Sequence, residues 1–208
     1  MRRVRATARF ERDNREQIVR AALTQAGAQG VSKMTLRGVA AACGVSLGLV
    51  QHYFGTKAAL VAAVDDYVLA RFADILDTRS FSACDRQPDW LAHQFAHLLA
   101  RRPEVMDYLG RALCDGEAIG AVIFDRLVAV SAAHTPARTE PAAGASGPDP
   151  VWEPLHPLIL MLGTIMCRGH IERHLHRPLN DPEQLAHWDS AVTSLMRDGY
   201  IRREVDSA

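Results

Sequence analysis

The chain has 208 residues, with 24 basic and 24 acidic side chains and 48% hydrophobic residues. This hydrophobic content excludes a disordered chain, and the length allows one sizeable domain or two small ones. The four cysteines form no CxxC pair, which argues against a zinc finger and against a disulfide scaffold. The longest apolar stretch, residues 157–167, is too short to span a bilayer, and no apolar run follows the basic N-terminus. We therefore expect a cytoplasmic protein without a signal peptide.

The net charge of zero conceals an asymmetry along the chain. Residues 1–57 contain ten basic and three acidic side chains, so this segment carries a charge of +7 and residues 58–208 carry −7. A basic end on an acidic body indicates a module that binds a polyanion, attached to a part that does not.

Nearly every segment is typical of helix, because Ala, Leu, Arg and Glu dominate and period-two runs of β-branched residues are missing. Four prolines and two glycines make residues 135–153 a predicted flexible loop. Asp181 as N-cap and Gly199 as terminator delimit the last helix. The pattern predicts helices over 13–28, 35–43, 46–54, 57 onward, 88–101, 103–114, 115–134, 155–175 and 182–198.

The predicted helix over 155–175 is apolar nearly all round from Leu155 to Met166. The other helices of the same chain can cover one side of such a helix. A second subunit is the economical cover for the other side, so we expect a homodimer. The alternative is that the other helices of the same chain enclose it completely.

Two short predicted helices, joined by a tight turn at Gly44, have helix-turn-helix spacing. Thr35 caps the first and Ser46 caps the second, which would enter the major groove of DNA. Gly48 costs stability inside a short helix, and a bare backbone there would allow close approach to bases or phosphates. The alternative role for this glycine is relief of a helix–helix contact.

Two cations stand where a helix dipole disfavours them. Arg37 and Lys57 each lie in the first turn of a predicted helix, and a phosphate beside each N-terminus would convert this penalty into attraction. Gln51 can pair with adenine, His52 can contact a base or a phosphate, and the Tyr53 hydroxyl can reach a phosphate.

These residues resemble the N-terminal domain of the tetracycline-repressor (TetR) family. The similarity runs unbroken from Ile18 to Leu60, through Thr35-x-Arg37-x-Val39-Ala40, Cys43-Gly44-Val45-Ser46-x-Gly48 and Tyr53-Phe54-Gly55-Thr56-Lys57. Gln51 stands where an aromatic residue is common, and Ala26 where Phe is common. Residues 61–208 match the family only in length and in number of helices.

The resemblance implies an all-α homodimer that acts as a transcriptional regulator. Residues 1–57 would be a three-helix DNA-binding head with a basic arm over 1–12, and residues 58–208 a helical body for effector binding and dimerisation. An effector would release the repressor from a palindromic operator by moving the fourth helix. The positions that match DNA contacts are Thr35, Arg37, Ser46, Leu47, Gly48, Leu49, Gln51, His52, Tyr53 and Lys57.

Two further sets of residues follow from this expected arrangement. A small, hydrophobic effector would suit an apolar cavity in the body, and the last two long helices would pair across the dimer. The candidate effector-binding residues are Phe72, Trp90, Phe95, His97, Met106, Tyr108, Phe124 and Met161. The candidate dimer residues are Leu158, Leu162, Ile165, Met166, Trp188, Val192 and Leu195.

Two alternatives compete with this interpretation. His93 and His97 lie one helical turn apart, as do His170 and His174, so a metal-responsive regulator is possible by spacing. A helical enzyme acting on its bound ligand is the other alternative, but no HExxH, GxSxG or glycine-rich phosphate motif supports it. We therefore predict a regulator without enzymatic activity, cofactor or metal.

Overall fold

The computed structural model describes residues 2–76, 90–134 and 151–198, with side chains for 13–73, 90–133 and 151–196. Within these ranges the chain forms α-helices, one 3₁₀ turn at Glu172–His174 and no strand, which confirms the all-α fold. The helices are α1 (Arg2–Gln29), α2 (Leu36–Cys43), α3 (Leu47–Phe54), α4 (Lys57–Leu76), α5 (Trp90–Arg101), α6 (Pro103–Asp115), α7 (Ala118–His134), α8 (Trp152–Met166), α9 (Arg168–Ile171) and α10 (Pro182–Asp198).

The chain divides into two compact units. The first comprises Met1–Phe72 with Glu104–Ala121, and the second comprises Ala73–Pro103 with Val122–Ala208. The first unit thus contains the predicted head together with most of α4 and α6. The predicted boundary between residues 57 and 58 does not coincide with the division between these units. That residues 1–57 bind DNA and residues 58–208 bind the effector stays a prediction.

In the first unit, α1 carries the apolar face on which the short helices α2 and α3 rest. Ile18 and Leu23 of α1 are fully buried, as are Val39 of α2 and Val50 of α3. The side-chain amide of Gln17 also donates to the carbonyl of Cys43, at 3.2 Å, and so ties α1 to the end of α2. Since α2 and α3 have only eight residues each, this packing is what keeps them helical.

A buried hydrogen bond joins α4 to α6 within the first unit. The hydroxyl of Tyr108 donates to Oδ1 of Asp65 at 2.7 Å, and the Tyr108 side chain is almost completely buried. Burial is the main reason that the pKa of Asp65 is raised; the nearby charges of Asp66 and Glu117 raise it further, and the Tyr108 hydroxyl only partly offsets them. Burial and the Asp65 carboxylate also raise the pKa of Tyr108.

Replacing Asp65 with Asn should stabilise the fold at neutral pH. The folded chain binds the Asp65 proton more tightly than the unfolded chain, whose carboxyl has a pKa near 3.8. The protonated Asp65 therefore stabilises the fold, fully below that pH, and this contribution is lost as the pH rises from there through the raised folded pKa. Urea unfolding at several pH values should give Asp65→Asn a free energy of unfolding above that of the wild type by at most about 1 kcal/mol at pH 7, since the Asp65 carboxyl is only partly buried. The difference in free energy of unfolding between the two proteins should shrink towards pH 4. A difference that grows in acid would contradict the raised pKa of Asp65.

The second unit is built on contacts between α5, α8 and α10. His93 Nδ1 of α5 lies 2.6 Å from Oδ2 of Asp189 on α10. Trp188 Nε1 of α10 donates to the hydroxyl of Thr164 on α8 at 3.2 Å. The large apolar side chains buried in this unit are aliphatic apart from Phe95 and Met161: they are Leu91, Phe95, Leu98, Leu99, Ile123, Leu127, Val130, Leu158, Met161, Leu162, Ile165, Leu179, Leu185 and Val192.

The predicted continuous helix over 155–175 is wrong. The chain leaves the α conformation at Cys167, with φ −93° and ψ 7°, and continues as the short α9 and the 3₁₀ turn. The Glu172 carboxylate stabilises this break by accepting the Leu179 N–H at 3.0 Å and an Arg168 N–H at 2.9 Å. Burial raises the pKa of Glu172, but these two donors outweigh it and hold the pKa below its usual value. A periodicity argument cannot find this break because it depends on a contact seven residues ahead.

The predicted ends of α2, α3, α5 and α6 lie within two residues of the observed ones, but the start of α1 does not. Helix α1 begins eleven residues before its predicted start, because Arg, Ala and Glu in the basic arm favour helix and nothing there interrupts it. Asp181 caps α10 by accepting the Glu183 and Gln184 N–H groups. The predicted loop over 135–153, except its last three residues, and the predicted terminator Gly199 lie outside the described residues. No helix in the described ranges is both long enough and apolar enough to cross a membrane.

Candidate DNA-binding surface

Three caps and two glycines define the helix-turn-helix. Thr35 Oγ1 accepts the Gly38 N–H at 3.0 Å, and Ser46 Oγ accepts the Leu49 N–H at 3.1 Å. Between these helices Gly44 adopts φ 69°, a left-handed conformation in which other residues are strained. After α3, Gly55 adopts φ 67° and Thr56 caps α4 by accepting the Ala59 N–H. The caps predicted at Thr35 and Ser46 are confirmed.

The recognition helix α3 has one buried side and one exposed side. Val50 is fully buried and Phe54 is 8% exposed, so these residues anchor α3 to the head. The opposite side is open to solvent. It carries Leu47, Gly48, Gln51 and His52, with Leu49 and Tyr53 partly exposed.

Gly48 has open space around it, unlike Gly38 of α2. A Cβ at Gly48 would meet only Ser46 Oγ, at 3.9 Å, whereas a Cβ at Gly38 would lie 2.7 Å from Nε2 of Gln25. Gly38 therefore has a neighbour within the head, and Gly48 has no packing role there. The alternative in which Gly48 relieves a helix–helix contact is wrong for this chain.

Two cations lie in the first turns of α2 and α4, the helices that precede and follow α3 in the chain. Arg37 is exposed in the first turn of α2 and makes no ion pair with the residues the structure describes. Lys57 Nζ donates to the Ser32 carbonyl at 3.0 Å, so it also closes the head by joining the start of α4 to the turn before α2. An ammonium has three donors, which leaves two on Lys57 for a phosphate.

Sequence reasoning missed Arg15 as a member of this region. Its guanidinium lies over the ring of Phe54, 5.3 Å from the centroid, and its side chain is exposed. A cation–π contact of this kind holds Arg15 beside the last residue of the recognition helix. No local pattern marks it, since Arg15 and Phe54 are far apart in sequence.

The sequence of this region also matches a known protein family. Residues 18–64 match the family described as bacterial regulatory proteins, tetR family. Over these residues the chain is similar to the DNA-binding domain of the TetR family. The match contains every DNA-contact position that the resemblance assigned, from Thr35 to Lys57.

One curated relative and two solved structures accompany this TetR match. The chain is 33% identical over 112 residues to the HTH-type transcriptional regulatory protein RaaS of Mycobacterium tuberculosis (strain ATCC 25618 / H37Rv), which is 53% of this chain and 50% of that protein. The chain thus spans about half the length of that relative. A TetR-family regulator from Streptomyces coelicolor A3 is 19% identical with a TM-score of 0.43, over 88% of this chain and 94% of that one. The multidrug binding protein EbrR, complexed with imidazole, is 19% identical with a TM-score of 0.47, over 88% and 89%.

The candidate effector residues fall in both units. Phe72, Met106 and Tyr108 are buried in the first unit, and Tyr108 is engaged by Asp65. The remaining five belong to the second unit. There Phe95 and Met161 are buried, Trp90 and Phe124 are partly exposed, and His97 is exposed. Their role in effector binding stays a prediction.

The candidate dimer residues are mostly inside the second unit. Leu158, Leu162, Ile165 and Val192 are 0–6% exposed and serve as core residues of their own chain. Trp188 and Leu195 are partly exposed, and Met166 is 44% exposed. Met166 lies on the uncovered side of α8 with Trp152 and Ile159, which are 51% and 52% exposed. Partner contact by the predicted set stays a prediction.

One histidine of each pair has a partner at its Nδ1 atom. His93 Nδ1 faces Asp189, and His170 Nδ1 accepts a hydrogen bond from Arg173 at 2.8 Å. Among the residues that the structure describes, no three His, Cys, Asp or Glu side chains converge as metal ligands would. The metal-responsive alternative therefore gains no support from the geometry.

Proposed function

We propose that the chain is a ligand-responsive transcriptional repressor, acting in the cytoplasm as a homodimer on a palindromic operator. The observation that carries this proposal is the exposed side of α3, where a glycine without a packing role lies between side chains that can read base edges. Two such helices in a dimer would enter successive major grooves about 34–36 Å apart. The resemblance to a regulator family, rather than to any enzyme, supports a binding function.

The effector in this proposal is a small hydrophobic molecule that binds one conformation of the body better than the other. Its binding would shift α4, which runs from the head at Lys57, and so release the operator. The apolar candidate residues support a hydrophobic effector, since Phe95, Met106 and Met161 offer no polar anchor.

Homodimerisation is supported by the uncovered side of α8. Trp152, Ile159 and Met166 recur every seven residues, the spacing of a helix–helix seam. A Cβ at Gly163, between them, would meet nothing within 4 Å, so a partner helix has room to approach closely. The exposed side of α10 carries the small residues Ala186, Ser190 and Ala191, which suit the same close approach.

Replacing Arg37 with Ala should weaken binding to DNA and reduce its salt dependence. One phosphate contact fewer lowers the slope of log K against log salt by about 0.9. The duplex for this test is selected by the wild-type protein from a random-sequence pool, and gel-shift titration at several salt concentrations gives the slope. Arg20→Ala, an exposed arginine of α1 in the same head, is the matched control and should leave the slope unchanged. The proposed interface would be contradicted if the wild-type protein enriched no duplex, or if the slope of log K against log salt were the same in Arg37→Ala as in the wild type.

A further inference from the structure

Helix α4 carries a tyrosine whose hydroxyl is buried but not hydrogen-bonded. The hydroxyl oxygen of Tyr67 has no hydrogen-bond partner among the residues that the structure describes. A buried hydroxyl in this state has lost its hydration without compensation, so folded proteins rarely retain one. The other buried tyrosine of this unit differs, because the Tyr108 hydroxyl donates to Asp65. The Tyr67 hydroxyl is therefore free to bind a polar group of a ligand.

A cation lies over the ring of the same tyrosine. The Cζ atom of Arg71 is 3.8 Å from the centroid of the Tyr67 ring. The two residues are one helical turn apart, and side chains on a helix lean towards its N-terminus, which places Arg71 over Tyr67. Arg71 is partly exposed and makes no ion pair with the residues that the structure describes. The stacking contact therefore holds the guanidinium in place without neutralising it.

Stacking leaves the hydrogen-bonding edge of the guanidinium unused. Contact with a ring involves the flat face of the group, whereas its five N–H donors lie in the plane. The Tyr67 hydroxyl lies at the rim of the ring that Arg71 covers, so one small ligand can reach both groups. A carboxylate suits this pair best, since its two oxygens accept two parallel N–H bonds from a guanidinium and still have lone pairs for a hydroxyl.

We propose that Tyr67 and Arg71 bind the carboxylate of a small organic acid and thus form the polar anchor of the effector site. This inference rests on the proposed function, and it adds one anionic group to the apolar effector proposed above. The candidate residues Phe95, Met106 and Met161 carry no charge and cannot supply such an anchor. Arg71 provides the charge that attracts the acid, and Tyr67 provides a buried donor that a poorly fitting anion does not reach.

Titration calorimetry with matched acids and amides tests the class of ligand. Benzoate and octanoate are the probes, and benzamide and octanamide have the same apolar bodies without the charge. The wild type should bind at least one of the two acids, and at least tenfold more tightly than the corresponding amide. The proposal would be overturned if neither acid bound, or if each acid bound only as well as its amide.

Substitution of Arg71 tests the charged half of the anchor. Arg71→Ala should bind the acid at least tenfold more weakly than the wild type and should bind the amide equally well. Arg71→Lys keeps the charge but not the two parallel donors, so its affinity should fall between these values. Arg20→Ala removes an exposed arginine from α1 in the same unit and is the matched control. An equal loss in the Arg20 and Arg71 variants would overturn the assignment.

Tyr67→Phe tests the hydroxyl and separates binding from folding. This variant keeps the ring beneath Arg71, and without ligand it should melt no lower than the wild type, because it loses a buried hydroxyl that has no partner. Its affinity for the acid should fall at least threefold. Thr164→Val removes a hydroxyl that is bonded to Leu160 and Trp188, so it should melt lower and bind the acid normally. A Tyr67→Phe protein that melts lower and binds the acid normally would overturn the role of the hydroxyl.

These titrations also distinguish failure of this inference from failure of the proposed function, because they require no DNA. Acid binding that depends on Arg71, in a protein that enriches no duplex, would support the anchor and contradict the repressor. Duplex binding that depends on Arg37, without binding of either acid, would contradict only the anchor. Where both activities are present, the acid should weaken binding of the wild type to the selected duplex, and it should have no such effect on Arg71→Ala.

Discussion

Replacing Gly48 with Ala should stabilise the protein and weaken its binding to DNA. Ala is favoured over Gly inside a helix by about 1 kcal/mol, and the added methyl would meet nothing in the head closer than 3.9 Å. The melting temperature should therefore rise. On the exposed side of α3 the same methyl stands between the backbone and the groove, so affinity should fall tenfold or more, which corresponds to about 1.4 kcal/mol.

The opposite signs of these two effects make Gly48 an informative position. Gly169→Ala is the matched control, because Gly169 is also helical, exposed and without neighbours, but lies in α9 of the second unit. That variant should also melt higher while binding the selected duplex as the wild type does. Thermal melts and gel-shift titrations of both variants measure the two quantities independently. A Gly48→Ala protein that melts higher and binds with unchanged affinity would mean that α3 does not approach DNA at this point.

Local signals explain which parts of the structure could be predicted from the sequence. The caps at Thr35 and Ser46 and the terminators at Gly44 and Gly55 act within four residues of their own position. Caps and terminators of this kind can be predicted without tertiary information. The bounds of α2, α3 and α10 follow for the same reason, and with them the exposed side of the recognition helix.

The packing contacts of the first unit could not be predicted in this way. The Tyr108–Asp65 hydrogen bond joins residues 43 apart, and Arg15 meets Phe54 across a similar distance in sequence. A Cβ at Gly27 of α1 would lie 3.1 Å from the backbone nitrogen of Tyr108 on α6, and nothing near Gly27 in the sequence indicates this close approach. The consequence is that sequence reasoning assigned α6 to the body alone, whereas residues 104–121 pack into the unit that contains the head.

Helix α8 shows a different reason for failure. Both sides of this helix are apolar, so the sequence pattern indicates that both sides are covered. The pattern does not distinguish the side covered by its own chain from the side left for a partner. The predicted dimer set followed Leu158, Leu162 and Ile165, which the second unit buries. The uncovered side carries Ile159 and Met166, and only the three-dimensional packing distinguishes the two stripes.

Replacing Ile159 with Asp should therefore separate the proposed dimer. Ile159 is 52% exposed at the centre of the uncovered side of α8, beside Gly163, where a partner helix can approach closely. A carboxylate buried there would lose its hydration without gaining a partner, and in a symmetric dimer this cost occurs twice. The fold of the single chain should be unaffected, because Ile159 contributes little to its core. Sedimentation velocity should show a monomer at concentrations where the wild type is dimeric.

The monomer should also lose operator binding, because one head engages one half-site. Linking two binding sites raises overall affinity by 10²–10⁴-fold when geometry permits both to engage, so we expect a loss of about 100-fold or more in gel-shift titration. Val122→Asp provides the control, since Val122 is 40% exposed on α7 and has no place in the α8 seam. It should remain dimeric and bind normally. An Ile159→Asp protein that stays dimeric would place the subunit interface elsewhere, and a monomer with full affinity would show that one head suffices.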